Sequence, residues 1–322
     1  MSPLRYGSSR RASSSRAVGW CLRRGLLLGA LVLLTACVDH YLVHPKQVPV
    51  GVVAHGETMV RGKLLIRLEW ARPIAEGRYP AVVVHPEAGH LAREMRGVVR
   101  DLAARGYVAV AADYRRAVGS TYRDTLFTWR DAGDPRAVFE RVRGDRRVDP
   151  ARIGLLGFSQ GGVYSLVTAA ETGQAAAVVA YYPVTDFELW LGDPARRRRE
   201  QWVFRFIRRH FYRQSGAASE EEFSTFLARA SPLRHAERIR APVLLVHGTS
   251  DRSSGIEESR RLAARLRALG RPVELLEIPG AGHVFNFRDR EKAALAWEAT
   301  VAFLDRHLKH QDDPSSAGRP AV

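Results

Sequence analysis

Three side chains in this sequence have the types and spacing for nucleophilic chemistry: Ser159 in Gly157-Phe-Ser-Gln-Gly161, Asp251 in Gly248-Thr-Ser-Asp251, and His283 in Pro279-Gly-Ala-Gly-His283. A serine hydroxyl is a poor nucleophile until a base takes its proton. A neutral imidazole does so effectively only when a carboxylate fixes its tautomer and supports the cation that forms. Each residue alone has a plainer role. Ser159 can cap a helix between turn glycines, Asp251 can precede a helix as its cap, and His283 can be a loop histidine. Taken together, each follows an apolar strand, and the order Ser, Asp, His is one in which this set recurs.

The elements that position them follow from the pattern. Arg152-Ile-Gly-Leu-Leu-Gly reads as a short buried strand, and Val163 to Ala170 as a helix. The Gly-x-Ser-x-Gly between them is a nucleophile elbow, where a sharp turn leaves no room for side chains two residues either side of Ser159. Gly162 lets the helix start pack closely. Upstream, Val48 to Ala54 and Lys63 to Trp70 predict an antiparallel strand pair. Strands are also predicted at Tyr79 to His85, Tyr107 to Asp113, Ala175 to Tyr182, Pro242 to His247 and Pro272 to Ile278. Helices are predicted at Leu91 to Arg105, Pro135 to Arg147, Ile256 to Leu269 and Glu291 to Leu308. The alternation gives an α/β fold, a mostly parallel central sheet with helices on both faces, with function at the carboxyl ends of its strands.

With 322 residues, 46% of them hydrophobic, the chain has the core-forming content of one large domain, assigned here to 48–309. The two cysteines, Cys21 and Cys37, both lie near the start. The body therefore has neither a disulfide framework nor a Cys/His metal site of its own, and no metal or organic cofactor is expected. The net charge of +16 raises nucleic acid as a partner. Six arginines (Arg5, Arg10, Arg11, Arg16, Arg23 and Arg24) fall in residues 1–36, which contain no acid. The remaining excess is spread over helix faces and one run, Arg196 to Arg199, without the signature of a nucleic-acid reader, so none is expected.

Residues 1–36 read as a targeting segment, with an apolar stretch, Gly25 to Leu34, too short to span a bilayer. Leu34-Thr-Ala-Cys37 resembles the lipobox of bacterial lipoproteins. That resemblance implies cleavage before Cys37, lipid on Cys37, a tether over 37–47, and a location in the bacterial cell envelope with the membrane held through the anchor alone. The alternative is an ordinary secretory signal. The polar end, 310–322, is expected to be disordered.

From Tyr79 to Leu308 the chain resembles the α/β-hydrolase fold, and within it the dienelactone hydrolase and prolyl-oligopeptidase-like branch. The resemblance rests on Asp149-Pro-Ala-Arg-Ile-Gly-Leu-Leu-Gly-Phe-Ser-Gln-Gly-Gly162, Ser231-Pro232, Ala241-Pro-Val-Leu-Leu-Val-His-Gly-Thr-Ser-Asp251 and Pro279-Gly-Ala-Gly-His-Val-Phe285. It implies a serine hydrolase acting on a small ester or short peptide, with Ser159 as nucleophile, His283 as base and Asp251 as its acid. It also implies an oxyanion hole. One donor is the backbone N–H of Gln160; the other comes from His85-Pro-Glu-Ala-Gly89, where Pro86 has no N–H and the match places the donor at Glu87. Pro86 stands where dienelactone hydrolases keep an acid, and serine stands where they use cysteine. Peptidase relatives carry a β-propeller, which the roughly 40 residues between Cys37 and Tyr79 cannot hold.

The expected reaction is ester cleavage through an acyl-enzyme. The alternatives are a serine exopeptidase without a propeller and an inactive envelope binding protein of the same fold. Residues 186–230 interrupt the crossover with Trp190, Trp202, Phe204, Phe206, Phe211 and Tyr212 and with an acidic helix at Glu220 to Phe226. They read as a cap shaping an apolar pocket, or else as helices whose aromatics pack onto the body. Asp186 is a second candidate for the acid.

Overall fold

The computed structural model describes residues 43–62, 64–114, 133–192 and 201–309. The targeting segment, Cys37, the arginine run at 196–199 and the tail at 310–322 lie outside the described residues, as does the first part of the proposed tether. Eight strands form one sheet: β1 (Val52–Arg61), β2 (Leu64–Pro73), β3 (Tyr79–His85), β4 (Val108–Ala112), β5 (Val148–Phe158), β6 (Ala177–Tyr181), β7 (Val243–Gly248) and β8 (Val273–Ile278). Their order is β1-β2-β4-β3-β5-β6-β7-β8. β2 runs antiparallel to β1 and to β4, and every other pairing is parallel.

The central strands are short apolar runs because both faces are covered. Ala81 to Val84, Val108 to Ala112 and Ala177 to Ala180 have no exposed surface. One face packs against α2 (Gly133–Arg143), α3 (Gln160–Thr172) and α7 (Ile256–Ala268) through Phe139, Leu166 and Leu262. The other packs against α1 (Arg96–Ala104) and α8 (Arg290–Leu308) through Val98, Leu102, Trp297 and Leu304. The expected doubly covered sheet is the observed one.

Several ends differ from the sequence reading. β1 begins at Val52 rather than Val48 and continues to Arg61, because β2 offers it a partner at every position from Val52↔Pro73 to Arg61↔Leu64. The helix expected from Leu91 opens as a 3₁₀ turn over Ala92–Met95 before α1 proper. α2 stops at Arg143 rather than Arg147. Asp145 accepts the Arg147 N–H at 2.9 Å, and β5 already starts at Val148, paired with Tyr79.

The segment 186–230 is helical, as expected, and holds α4 (Phe187–Gly192), α5 (Gln201–Ser215) and α6 (Glu220–Ala230), of which the sequence bounds only the last. Ser219 caps α6, its Oγ accepting from Glu222 N at 3.1 Å. Phe187, Trp190, Phe211, Phe223 and Leu227 are buried and belong to the same core as α2 and α3. The Trp190 indole donates to the Ser253 carbonyl at 2.7 Å. Phe206 instead stands 62% exposed. The buried aromatics thus act as body packing. Phe211→Ala should therefore lower unfolding free energy by ~3–5 kcal/mol, as truncating a core phenylalanine does. Denaturant titration checks this, and a loss within about 0.5 kcal/mol, ordinary for a surface site, would show that α5 is not part of the core.

Candidate active site

β5 runs into Ser159 and α3 begins at the next residue. Ser159 has φ 50° and ψ −112°, a conformation that side-chain-bearing residues seldom adopt and that costs about 1–3 kcal/mol. Its N–H donates to Tyr181 O at 2.9 Å, and its carbonyl accepts from Val163 N at 3.2 Å. A Cβ on Gly157 would sit 2.0 Å from Gly161 O, and one on Gly161 would sit 2.0 Å from His85 O. Both positions require glycine because backbone presses on backbone there, joining the elbow to the loop after β3. Gly162 is less constrained, its nearest neighbour being Pro183 at 3.3 Å.

The loops after β7 and β8 deliver the other two groups. Ser250 N donates to Ala281 O at 2.9 Å and Thr249 N to Ile278 O at 3.0 Å, stitching one loop to the other. His283 Nε2 lies 3.0 Å from Ser159 Oγ, and His283 Nδ1 lies 2.7 Å from Asp251 Oδ2. Asp251 also accepts Ser253 N at 2.7 Å, Ser254 N at 3.1 Å and Ser254 Oγ at 3.0 Å. Burial works against its ionisation, but hydrogen bonds and charge from His247 and His283 outweigh burial and hold the carboxyl well below the usual range. Asp186 is placed elsewhere. Its Oδ1 accepts the Glu188 and Leu189 N–H groups at 3.1 Å each, capping α4, and its Oδ2 lies 3.5 Å from Arg234.

His247 escaped the sequence reading. It is fully buried at the end of β7, with Nε2 3.3 Å from Asp251 Oδ2 and Nδ1 2.7 Å from Ser259 Oγ. Two imidazoles thus flank one carboxylate. The available signal was a histidine four residues before the acid, near the end of an apolar strand.

Gln160 and Glu87 line one narrow cavity of about 20 Å³ beside the elbow, together with Pro86, His90, Tyr114 and Tyr164. Gln160 is the first residue of α3, where backbone N–H groups have no partner within the helix. The Glu87 side chain is the unexpected part. Pro86 stands where an acid was sought, but Glu87 brings a carboxyl to this cavity, 5% exposed. Burial pushes it up to about 8; the Glu94 carboxylate adds to the shift and Arg288 opposes it. His90 Nδ1 is 3.2 Å from Glu87 Oε1 without hydrogen-bond geometry, and burial lowers His90, which disfavours a cation beside Glu87. His85, bonded to the Tyr114 hydroxyl, is lowered by burial to about 3 and stays neutral.

A hydroxyl on an imidazole that is itself held by a buried carboxylate can form an oxygen nucleophile without a metal ligand or a cofactor. The strand order and the elbow at the end of β5 define an α/β-hydrolase. Residues 68–308 match the dienelactone hydrolase family, so the chain belongs to that family and is a hydrolase. It is 31% identical over 197 residues to the uncharacterized peptidase YtmA of Bacillus subtilis, covering 61% of this chain and 72% of YtmA. It is 29% identical over 235 residues to esterase LipC of Mycobacterium tuberculosis, covering 67% of this chain but only 55% of LipC. Among solved structures, a putative dienelactone hydrolase from Klebsiella pneumoniae superposes with a TM-score of 0.58 at 22% identity, over 79% of this chain and 99% of that one.

The raised Glu87 carboxyl has a stability consequence of definite sign. An acid that ionises near 4.5 when unfolded but near 8 when folded leaves the native state holding the extra proton between those values. Stability is then full below pH 4.5 and declines as pH rises to 8. Glu87→Gln, neutral at every pH, should gain on the wild type across that window by up to a few kcal/mol. Urea titrations of both proteins at pH 5 and 8 check this; parallel pH dependence in the two would show that Glu87 ionises normally.

Proposed function

We propose that the protein is a serine hydrolase that cleaves a carboxylic ester through an acyl-enzyme on Ser159. The observation that carries the reading is the continuous chain from Ser159 Oγ to His283 at 3.0 Å and on to Asp251 at 2.7 Å. In this mechanism Ser159 Oγ attacks the acyl carbon while His283 Nε2 takes its proton. The imidazolium that forms is stabilised through Nδ1–H by Asp251, whose own surroundings keep it ionised. The backbone N–H groups of Gln160 and Glu87 receive the tetrahedral oxyanion. Collapse expels the alkoxide, which takes the proton from His283. A water then enters and attacks the acyl carbon as it loses a proton to His283, and collapse releases the carboxylic acid while His283 returns that proton to Ser159 Oγ.

The likeness to an esterase and the family match support an ester as substrate. The likeness to YtmA favours a second reading on one point, the leaving group: an amine in place of an alkoxide, released by the same residues from a short peptide. A panel of p-nitrophenyl esters beside aminoacyl-anilides separates the two by relative kcat/KM.

On the better substrate Ser159→Ala should lose a factor of roughly a thousand or more in kcat with the fold retained. Asp251→Asn should lose a comparable factor by presenting the wrong imidazole tautomer. kcat/KM should fall as pH drops, because a protonated imidazole cannot accept the Ser159 proton. A Ser159→Ala rate within tenfold of wild type, or a rate flat from weakly acidic to alkaline pH with Ser159 essential, would overturn the assignment.

A further inference from the structure

The active site occupies the carboxyl ends of β5, β7 and β8. A second, larger cleft of about 170 Å³ opens at the opposite, amino ends of the parallel strands, where Val108 begins β4 and Arg147 leads into β5. Its walls also carry His55 from β1, Trp70 and Arg72 from β2, and Asp145 and Arg146 from the turn before β5. Nothing in the ester chemistry uses these residues.

Their charges do not cancel within the cleft. Arg72, Arg146 and Arg147 stand against Asp145 and the Glu76 that pairs with Arg147, which leaves one guanidinium charge over, and Asp145 is itself engaged: its Oδ1 accepts Arg147 N at 2.9 Å and its Oδ2 lies 3.6 Å from Arg141 Nη1. Arg141 in turn is committed to Glu57 by two bonds of 3.0 and 2.9 Å and lies 4.9 Å from the Trp70 ring centre, closing one side. Among the described residues Arg146 has no acidic partner, and Arg72 donates only to the Pro73 carbonyl at 3.2 Å.

The buried polar atoms point the same way. Arg147, with an 8% exposed side chain, uses Nη1 on Ala75 O at 2.8 Å and Nη2 on Glu76, yet its Nε has no acceptor. Trp70 is 3% exposed and its Nε1 has none either. A buried N–H without an acceptor is costly, so two in residues that line one basic cleft favour a ligand that accepts from them.

We propose that this cleft is a second binding site, for a phosphate group. A phosphate group supplies the negative charge that the one uncompensated guanidinium calls for. Its several oxygens can also take the divergent donors of Arg72, Arg146, Arg147 and Trp70, as guanidinium forks favour. The proposal is independent of which acyl substrate Ser159 accepts, because the two sites lie at opposite ends of the strands.

The test follows the Trp70 indole N–H in a ¹H–¹⁵N spectrum of the full chain, assigned with Trp70→Phe, during titration with inorganic phosphate against chloride at equal ionic strength. We expect a saturable shift of that resonance specific to phosphate. The double variant R72Q/R146Q, at one half-buried and one exposed position and its fold checked by thermal melting, should bind at least about tenfold more weakly with ester hydrolysis unchanged. A parallel arm measures co-sedimentation with phosphatidylcholine vesicles with and without phosphatidic acid. Binding to the phosphatidic acid vesicles alone, lost in the double variant, assigns the phosphate to a lipid headgroup. Absence of a phosphate-specific shift together with absence of variant-sensitive vesicle binding overturns the proposal, as does a double variant that binds as well as wild type.

Discussion

The close approach of three backbone segments at the elbow is the constraint on which the site depends. Gly157 lies under the start of α3, and Gly161 lies against the carbonyl of His85, with no space for a side chain at either position. This contact holds Ser159 at φ 50°, a conformation the chain would leave if it were free to relax. It also fixes the loop after β3 to the elbow, so that Glu87 and Gln160 share one cavity. The strain is sustained by the surrounding sheet, where β5 is paired on both sides by β3 and β6 along buried apolar strands.

The second half of the site rests on electrostatics in a dry setting. Asp251 is buried, and burial alone would favour its neutral form; hydrogen bonds and charge from two imidazoles, His247 and His283, reverse that preference. Glu87 shows the opposite case on the neighbouring loop. Its carboxyl is equally buried but lacks such donors, and it holds its proton to about pH 8. Two acids within one site are thereby driven in opposite directions by the presence or absence of hydrogen-bond donors.

Much of this was legible in the sequence where a residue type has only one way to satisfy its backbone. Gly157 and Gly161 around Ser159 announced the elbow, and the apolar runs of β3, β4, β6 and β7 announced a sheet covered on both faces. Strand ends that carry Asp251 and His283 followed from the same alternation. What remained hidden depends on contacts distant in the chain. The depth of Glu87, in a cavity it shares with Gln160, His90 and Tyr114, does not show in its neighbours Pro86 and Ala88. His247 reads as a strand residue until Asp251 and Ser259 are placed around it. α4 and α5 lacked a readable start because Asp186 caps α4 from a loop that also resembled a catalytic position, and the burial of Phe211 emerges only in the assembled core.

The central claim is that the strained serine at the elbow is the nucleophile, and covalent labelling addresses it most directly. A fluorophosphonate incubated with the folded wild-type chain, followed by proteolysis and mass spectrometry of the peptides, reports which oxygen attacks phosphorus. The account predicts one equivalent of adduct on the peptide bearing Ser159 and none on the Ser159→Ala protein. A folded wild type that stays unlabelled, or that carries the adduct on another residue, would contradict it.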